Sequence, residues 1–381
     1  MLRPDYHHSI VNLMASIIAA DGGDPTPYQP LPSLPPESLT DTTTILWVID
    51  GLGDSLLTQH SDTTLARYRH DRLTTVFPTT TASAITSFGT GCAPQQHAVT
   101  GWFMWLREIG SVVTTLPFLH RSDRHPLERS GMTPADVIGC PAIAQRLRSP
   151  CHHISPDFIV DSSYSRTLAA GGRRHGHTGL ADMVDAIVEA VGRDRRYIYA
   201  YWPTLDHLSH QYGPNHPKVS EHLRYLDSAF SSLLNRLAGR AVTLLVSADH
   251  GQIDNPAGHT IDINRYPAIA DTLALPLCGE PRAAFCYLRH GYEKQFLDAV
   301  ERLIGDRCEV VASAKLLSEG LFGLGTPHPQ LASRIGDYLL LPYDGWVVRD
   351  RLPAEKAFSQ LGVHGGLSHD ELYVPLIVAR P

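Results

Sequence analysis

Six residues in four short stretches carry side chains able to hold divalent metal ions. In YWPTLDHLSHQYGP, Asp206 and His210 stand four apart and share one face of a helical turn, so an oxygen and a nitrogen could grip one ion. SADHGQ sets Asp249 beside His250, VHGGLSHDELYVPL supplies His364 ahead of two glycines that let the backbone approach a ligand, and Asp50 closes the apolar run ILWVID. Taken alone, each fragment reads as well or better as an ordinary feature: an exposed i,i+4 pair, a turn cap by Asp249 or Asp50, a loop-to-strand turn at His364. Taken together, three aspartates and three histidines, all expected at strand ends or loops on one side of one sheet, make two sets of oxygen and nitrogen donors suited to zinc. Two zinc ions clamping the entering and leaving oxygens are a standard solution for in-line displacement at phosphorus.

Such a site needs a nucleophile. FPTTTASAITSFGTG places Thr79, Thr80 and Thr81 where a helix starts, so a hydroxyl would lie beside unpaired backbone N–H groups that favour a phosphate. An ordinary N-cap threonine explains the stretch equally well until the metal constellation is added. The remaining histidines, including His7, His8, His152, His153, His175, His177 and His216, show no partner pattern and are assigned to surface or core packing.

These residues need a scaffold that brings strand ends together. TTTILWVIDGLG, RRYIYAYWP (195–203) and AVTLLVSADHG (241–251) are apolar runs stopped by polar residues, the signature of buried parallel strands ending in loops. Between the last two, Val219, Leu223, Leu226, Phe230, Leu233 and Leu237 recur at helical spacing, with Gly239 as a stop. This rhythm predicts an α/β fold with a central, mostly parallel sheet flanked by helices, which binds ligands at the carboxyl ends of its strands. From 264 to 344 the texture changes: RAAFCYLR, YEKQFLDAVERLIG and IGDYLLLP predict strand, helix and strand in a small α+β insertion. It would cap a core formed by 1–263 and 345–381, with ELYVPLIVA as the last strand returning to the main sheet.

The 381 residues suit one large domain with an insertion or two domains, and 43% hydrophobic with 19% charged residues is ordinary globular composition. A formal charge of -7 offers no basic stripe for long nucleic acid and no polybasic cluster for anionic lipid. No stretch approaches the roughly 18 to 20 apolar residues of a membrane span. The run from Ile10 to Ala20, interrupted by Asn12 and Ser16, reads as a surface helix before a Pro-rich linker from Pro25 to Pro36. The six cysteines, Cys92, Cys140, Cys151, Cys278, Cys286 and Cys308, form no CxxC pair; reduced thiols and a cytoplasmic location are expected, with no thiolate on the metals.

With these stretches assembled, the chain resembles the alkaline phosphatase superfamily and, within it, the type I phosphodiesterase/nucleotide pyrophosphatase branch. VIDGLGDS is similar to the branch's strand-ending Asp-Gly element, FPTTTASAITSFGTGCAPQQHAV to its nucleophile segment, and DHLSHQYGP, ADHG and VHGG to its remaining ligand elements. Counting back from Thr90-Gly91 in that frame selects Thr81 over Thr79 or Thr80. The similarity implies two divalent ions, zinc with manganese as the alternative: one on Asp206, His210 and His364, the other on Asp50, Asp249 and His250, with Thr81 facing the latter. Two departures stand out. HAVTGW puts Trp102 where relatives carry an asparagine for a non-bridging phosphoryl oxygen, so Trp102 enters as a substrate-binding residue through its one N–H donor or its ring. Ala82, Ser83 and Ala84 replace the aromatic companions usual after the nucleophile, so nucleotide specificity does not carry over.

The resemblance thus implies a two-metal phosphoester hydrolase: a phosphodiesterase or nucleotide pyrophosphatase working through a phospho-threonine intermediate on a small phosphate ester. A phosphomonoesterase or phosphonate hydrolase would use the same residues. From another class, a non-catalytic superfamily domain acting as a binding or assembly module would be favoured by loss of a ligand, and none of the six is lost. The strip TGWFMWLREIGSVV and the insertion are expected to wall the pocket, and oligomeric state is left open.

Overall fold

Strand Thr43–Ile49 is buried at every position and pairs in parallel with Tyr197–Trp202 on one side and Val242–Ser247 on the other. Continuous apolar runs form such strands because both faces of the sheet are covered. The computed structural model, which describes residues 2–353, 355–356 and 359–381, extends this sheet to seven strands. Their order is Arg69–Thr74, Tyr373–Ala379, Val242–Ser247, Thr43–Ile49, Tyr197–Trp202, Cys151–Pro156 and Arg173–His177. Among the described pairs, those of Tyr373–Ala379 with its two neighbours are antiparallel and the rest are parallel, so the sheet is mostly parallel. The helix Pro217–Leu237 buries Val219, Leu223, Leu226, Phe230, Leu233 and Leu237, the six positions its spacing selects. Each such side chain contributes about 1.5–3 kcal/mol relative to exposure.

The N-terminal helix corrects one expectation. Ile10–Ala20 is buried along nearly its whole length, not laid on the surface. The two polar residues that suggested a wet face are both fully buried, and they hold other parts of the chain. Asn12 Oδ1 accepts from the Ser9 N–H at 3.0 Å, Asn12 Nδ2 donates to the Gln29 carbonyl at 2.9 Å, and Ser16 Oγ accepts from the Leu31 N–H at 2.8 Å. The Pro-rich stretch therefore runs over this helix, and the helix supplies the partners its backbone needs.

A second seven-stranded sheet lies apart in the hydrogen-bonding pattern, with the order Cys308–Ala312, Tyr338–Pro342, Ala283–Cys286, Cys278–Glu280, Phe103–Leu106, Ser111–Thr114, Leu119–His120. The segment 264–344 contributes four of these strands and the helix Glu293–Ile304. The other three come from the strip that begins at Phe103, joined through the pairing of Gly279 with Phe103. Among the described residues no helix is long and apolar enough to cross a membrane, and all six cysteines are free.

Candidate active site

Three neighbouring parallel strands deliver ligand residues to one end of the sheet. Thr43–Ile49 runs directly into Asp50, Val242–Ser247 ends two residues before Asp249, and Tyr197–Trp202 leads through Pro203 into helix Thr204–Tyr212, which carries Asp206 in its first turn and His210 in its last. Gly51 has φ +76°, and a Cβ there would lie 3.0 Å from Cα and Cβ of Asp206, so glycine is what lets these two turns touch. His364 follows the short strand Gly362–Val363, which pairs with Ile253–Asp254.

The six residues gather as two triads. Asp206, His210 and His364 each present a ligand atom within 4.8 Å of the others, and so do Asp50, Asp249 and His250. His210 Nε2 stands 3.3 Å from Asp206 Oδ2 and 3.3 Å from His364 Nε2, while His250 Nε2 stands 3.4 Å from Asp249 Oδ2 and 3.6 Å from Asp50 Oδ1. The rings of His250 and His364 stack at 3.6 Å between centroids, so the triads adjoin. Each histidine is oriented through its other nitrogen: Nδ1 of His210 donates to the Gly362 carbonyl at 2.7 Å, that of His364 to Thr79 at 3.1 Å, and that of His250 to Gly251 at 3.1 Å. Those backbone acceptors leave Nε2 as the lone-pair atom aimed at the carboxylates, the arrangement that metal-ligating histidines use.

The carboxylates carry the complementary signature. Asp249 Oδ1 accepts from the backbone N–H groups of Gly51 at 3.1 Å and His250 at 3.0 Å, and Asp50 Oδ2 accepts from the Tyr201 hydroxyl. Asp249 Oδ2 and Asp50 Oδ1 are buried without a hydrogen-bond partner. A buried carboxylate oxygen with no donor is costly unless a cation meets it, so the residues present fit a pair of divalent ions of the zinc or manganese class. Burial, followed by the charges of Asp249 and Asp206, pushes the Asp50 carboxyl well above its usual range. Burial, followed by His250 and His210, holds His364 well below its usual range, as a neutral donor.

The three threonines separate by their partners. Thr79 donates to the Gly366 carbonyl at 2.8 Å and accepts from the Gly365 N–H at 3.1 Å, bracing the His364 loop, and Thr80 donates to Glu280. Thr81 opens the helix Thr81–Thr90, and its Oγ1 lies 3.1 Å from His250 Nε2, at the edge of the Asp50–Asp249–His250 triad. Trp102 stands in the wall of a cleft of about 870 Å³ that is also lined by Asp50, Thr81, Asp206, His210 and His364. The histidines without a partner pattern lie outside both triads; His152 stacks on His175 and His177 on Trp202.

Three contributors escaped the sequence reading. Tyr201, an apolar-looking position within a buried strand, holds Asp50. Gln252, one residue beyond the ADHG motif, donates to Asp206 Oδ1. Glu280, in the second sheet, reaches the cleft wall, where burial pushes its carboxyl up to about 7 against the opposing hydrogen bonds from Thr80 and the Trp102 N–H. The position of Gln252 beside a ligand motif was a usable signal; nothing in CGEPRAAF marks Glu280.

The chain matches the family profile of type I phosphodiesterase/nucleotide pyrophosphatase over residues 44–367. Murine ectonucleotide pyrophosphatase/phosphodiesterase 5 superimposes with a TM-score of 0.68 at 17% identity, covering 89% of this chain and 88% of the other. An inactive threonine-to-alanine form of the murine protein, solved in complex with AMP, gives 0.65 at 16% identity over 88% and 87%. Phosphonoacetate hydrolase from Sinorhizobium meliloti 1021, solved with phosphonoacetate, gives 0.64 at 17% identity over 89% and 90%. No curated protein is matched by sequence. With its profile spanning both triads and the threonine, the chain belongs to the type I phosphodiesterase/nucleotide pyrophosphatase family, within the alkaline phosphatase superfamily, and is by that membership a phosphoester hydrolase.

Proposed function

We propose that the protein is a two-metal phosphodiesterase of the nucleotide pyrophosphatase kind, with Thr81 as nucleophile and a small phosphate ester as substrate. The observation that carries this reading is Thr81 Oγ1, at a helix N-terminus and 3.1 Å from a nitrogen of one triad. Two divalent ions, when held by the six ligands, would neutralise three clustered carboxylates and polarise the ester and threonine oxygens. Thr81 Oγ attacks phosphorus in line, so that the Oγ–P bond forms as the bond to the leaving oxygen breaks; the threonine proton passes to solvent and the leaving oxygen takes one up. The N–H groups of the first turn of Thr81–Thr90 orient the phosphoryl oxygens. Water then cleaves the phospho-threonine, its oxygen staying on phosphorus while Thr81 regains a proton. Two inversions give net retention.

The threonine-to-alanine form of the murine relative, inactive and bound to AMP, supports both the nucleophile and a nucleotide-sized ester. The phosphonoacetate hydrolase supports a phosphonate as the second reading. A cytoplasmic location is part of the proposal, supported by the six free cysteines. The test is one plate in which bis-p-nitrophenyl phosphate, p-nitrophenyl phosphate and phosphonoacetate are each incubated with zinc, manganese or chelator. Metal-dependent turnover with the diester fastest is expected; no hydrolysis with either metal would end the enzymatic reading, and a faster phosphonate would favour the second.

A further inference from the structure

The cleft wall carries one buried carboxyl that the proposed reaction does not use. Glu280 closes the strand Cys278–Glu280, is 8% exposed, and lines the same cleft as Thr81, Asp206 and His364. Its Oε1 accepts from Thr80 Oγ1, the neighbour of the proposed nucleophile, and from the backbone N–H of Trp102 at 2.7 Å. Its stem packs on Gly365, the residue after His364, where an added Cβ would lie 2.6 Å from Glu280 Cβ. The carboxyl is thus fixed between the nucleophile segment and a ligand loop. Among the described residues no hydrogen bond reaches its second oxygen and no cation forms an ion pair with it. The nearest basic residue in sequence, Arg282, is engaged with Glu371 at 2.9 Å, Asp344 at 3.2 Å and the carbonyls of Pro342, Tyr343 and Trp346.

We propose that Glu280 is a specificity-determining residue whose carboxylate turns dianionic phosphoryl groups away from the cleft, so that monoanionic diesters are accepted and phosphomonoesters refused. The inference deepens the proposed function and rests on it. A monoester dianion brings one more negative charge than a diester to the Glu280 carboxylate, and like charges in a partly desolvated cleft repel strongly, against the pull of Arg121, Arg349, Arg351 and Lys356 elsewhere on the same wall. The bonds to Thr80 and Trp102 keep the carboxylate from swinging aside. Those two donors need only an acceptor, which a glutamine would supply equally well; the charge therefore requires its own explanation, and exclusion provides one.

Glu280→Gln keeps the acceptor and removes the charge. Zinc-loaded wild type and E280Q are compared at about pH 8.5, above the carboxyl range, on p-nitrophenyl phosphate and bis-p-nitrophenyl phosphate, with inorganic phosphate binding measured by calorimetry on both proteins. The ratio of monoester to diester kcat/KM should rise about tenfold or more in E280Q, with tighter phosphate binding by a similar factor, while Glu280→Asp stays near the wild-type ratio. A purely structural role would lower both activities and leave their ratio alone. If E280Q does not fold, Glu280→Ala carries the same comparison. An unchanged ratio and unchanged phosphate affinity, in a wild type that cleaves the diester, overturns the inference and leaves the proposed function standing; a wild type that cleaves no ester overturns both.

Discussion

Each residue of the two candidate metal triads has one atom fixed by the protein and another free to meet an ion. The histidine Nδ1 atoms are spent on backbone carbonyls, and Asp249 Oδ1 and Asp50 Oδ2 on Gly51, His250 and Tyr201. At this scale residue type and order were informative, because aspartate and histidine at strand ends have few structural uses that also repeat six times. What order does not reveal is what supports them: Tyr201 lies inside an apolar run, and nothing in CGEPRAAF marks Glu280. Glu280 also makes a pH prediction. Its folded-state carboxyl is raised from 4.5 to about 7, so the folded chain binds that proton more tightly than the unfolded one, and stability falls as pH climbs through this window. In chelator, E280Q should therefore be more stable than wild type above pH 7, by up to about 3 kcal/mol, and equal to it near pH 4. Urea midpoints at both ends of the window measure this; a gap of the same size at both would contradict it.

At the scale of elements, the strands of the central sheet and the helix Pro217–Leu237 were legible because each is long, apolar and periodic enough to specify itself. The second sheet was only partly so. Its strands run from two to five residues, and the joint between Phe103 and Gly279 links segments far apart in sequence, which no local pattern encodes. The N-terminal helix departs from expectation for a different physical reason: its polar residues face not water but the Pro-rich stretch laid across them, which Asn12 and Ser16 bond. Asn12→Ala removes the Asn12 bonds to Ser9 and Gln29, leaving the Gln29 carbonyl without its donor. It should cost about 1–3 kcal/mol in urea unfolding with no change in diester kcat/KM. A loss of activity without a loss of stability would place this helix in the catalytic machinery instead.

Over the whole molecule, the end of the central sheet gathers the candidate metal triads and the second sheet walls the cleft beside them. They are coupled at the His364 loop, where Arg282 of the second-sheet hairpin pairs with Glu371 at 2.9 Å and Glu371 accepts from the Gly366 N–H at 2.8 Å, all fully buried. The ligand set spans residues 50 to 364, so it exists only when both ends of the chain have joined the fold. On the proposed mechanism this assembly serves one hydroxyl, that of Thr81. The most direct test is the rate of bis-p-nitrophenyl phosphate hydrolysis by wild type and Thr81→Ala at equal, measured zinc content. A drop of about a thousandfold or more with zinc retained is the predicted result; wild-type turnover by T81A at the same zinc content would contradict it.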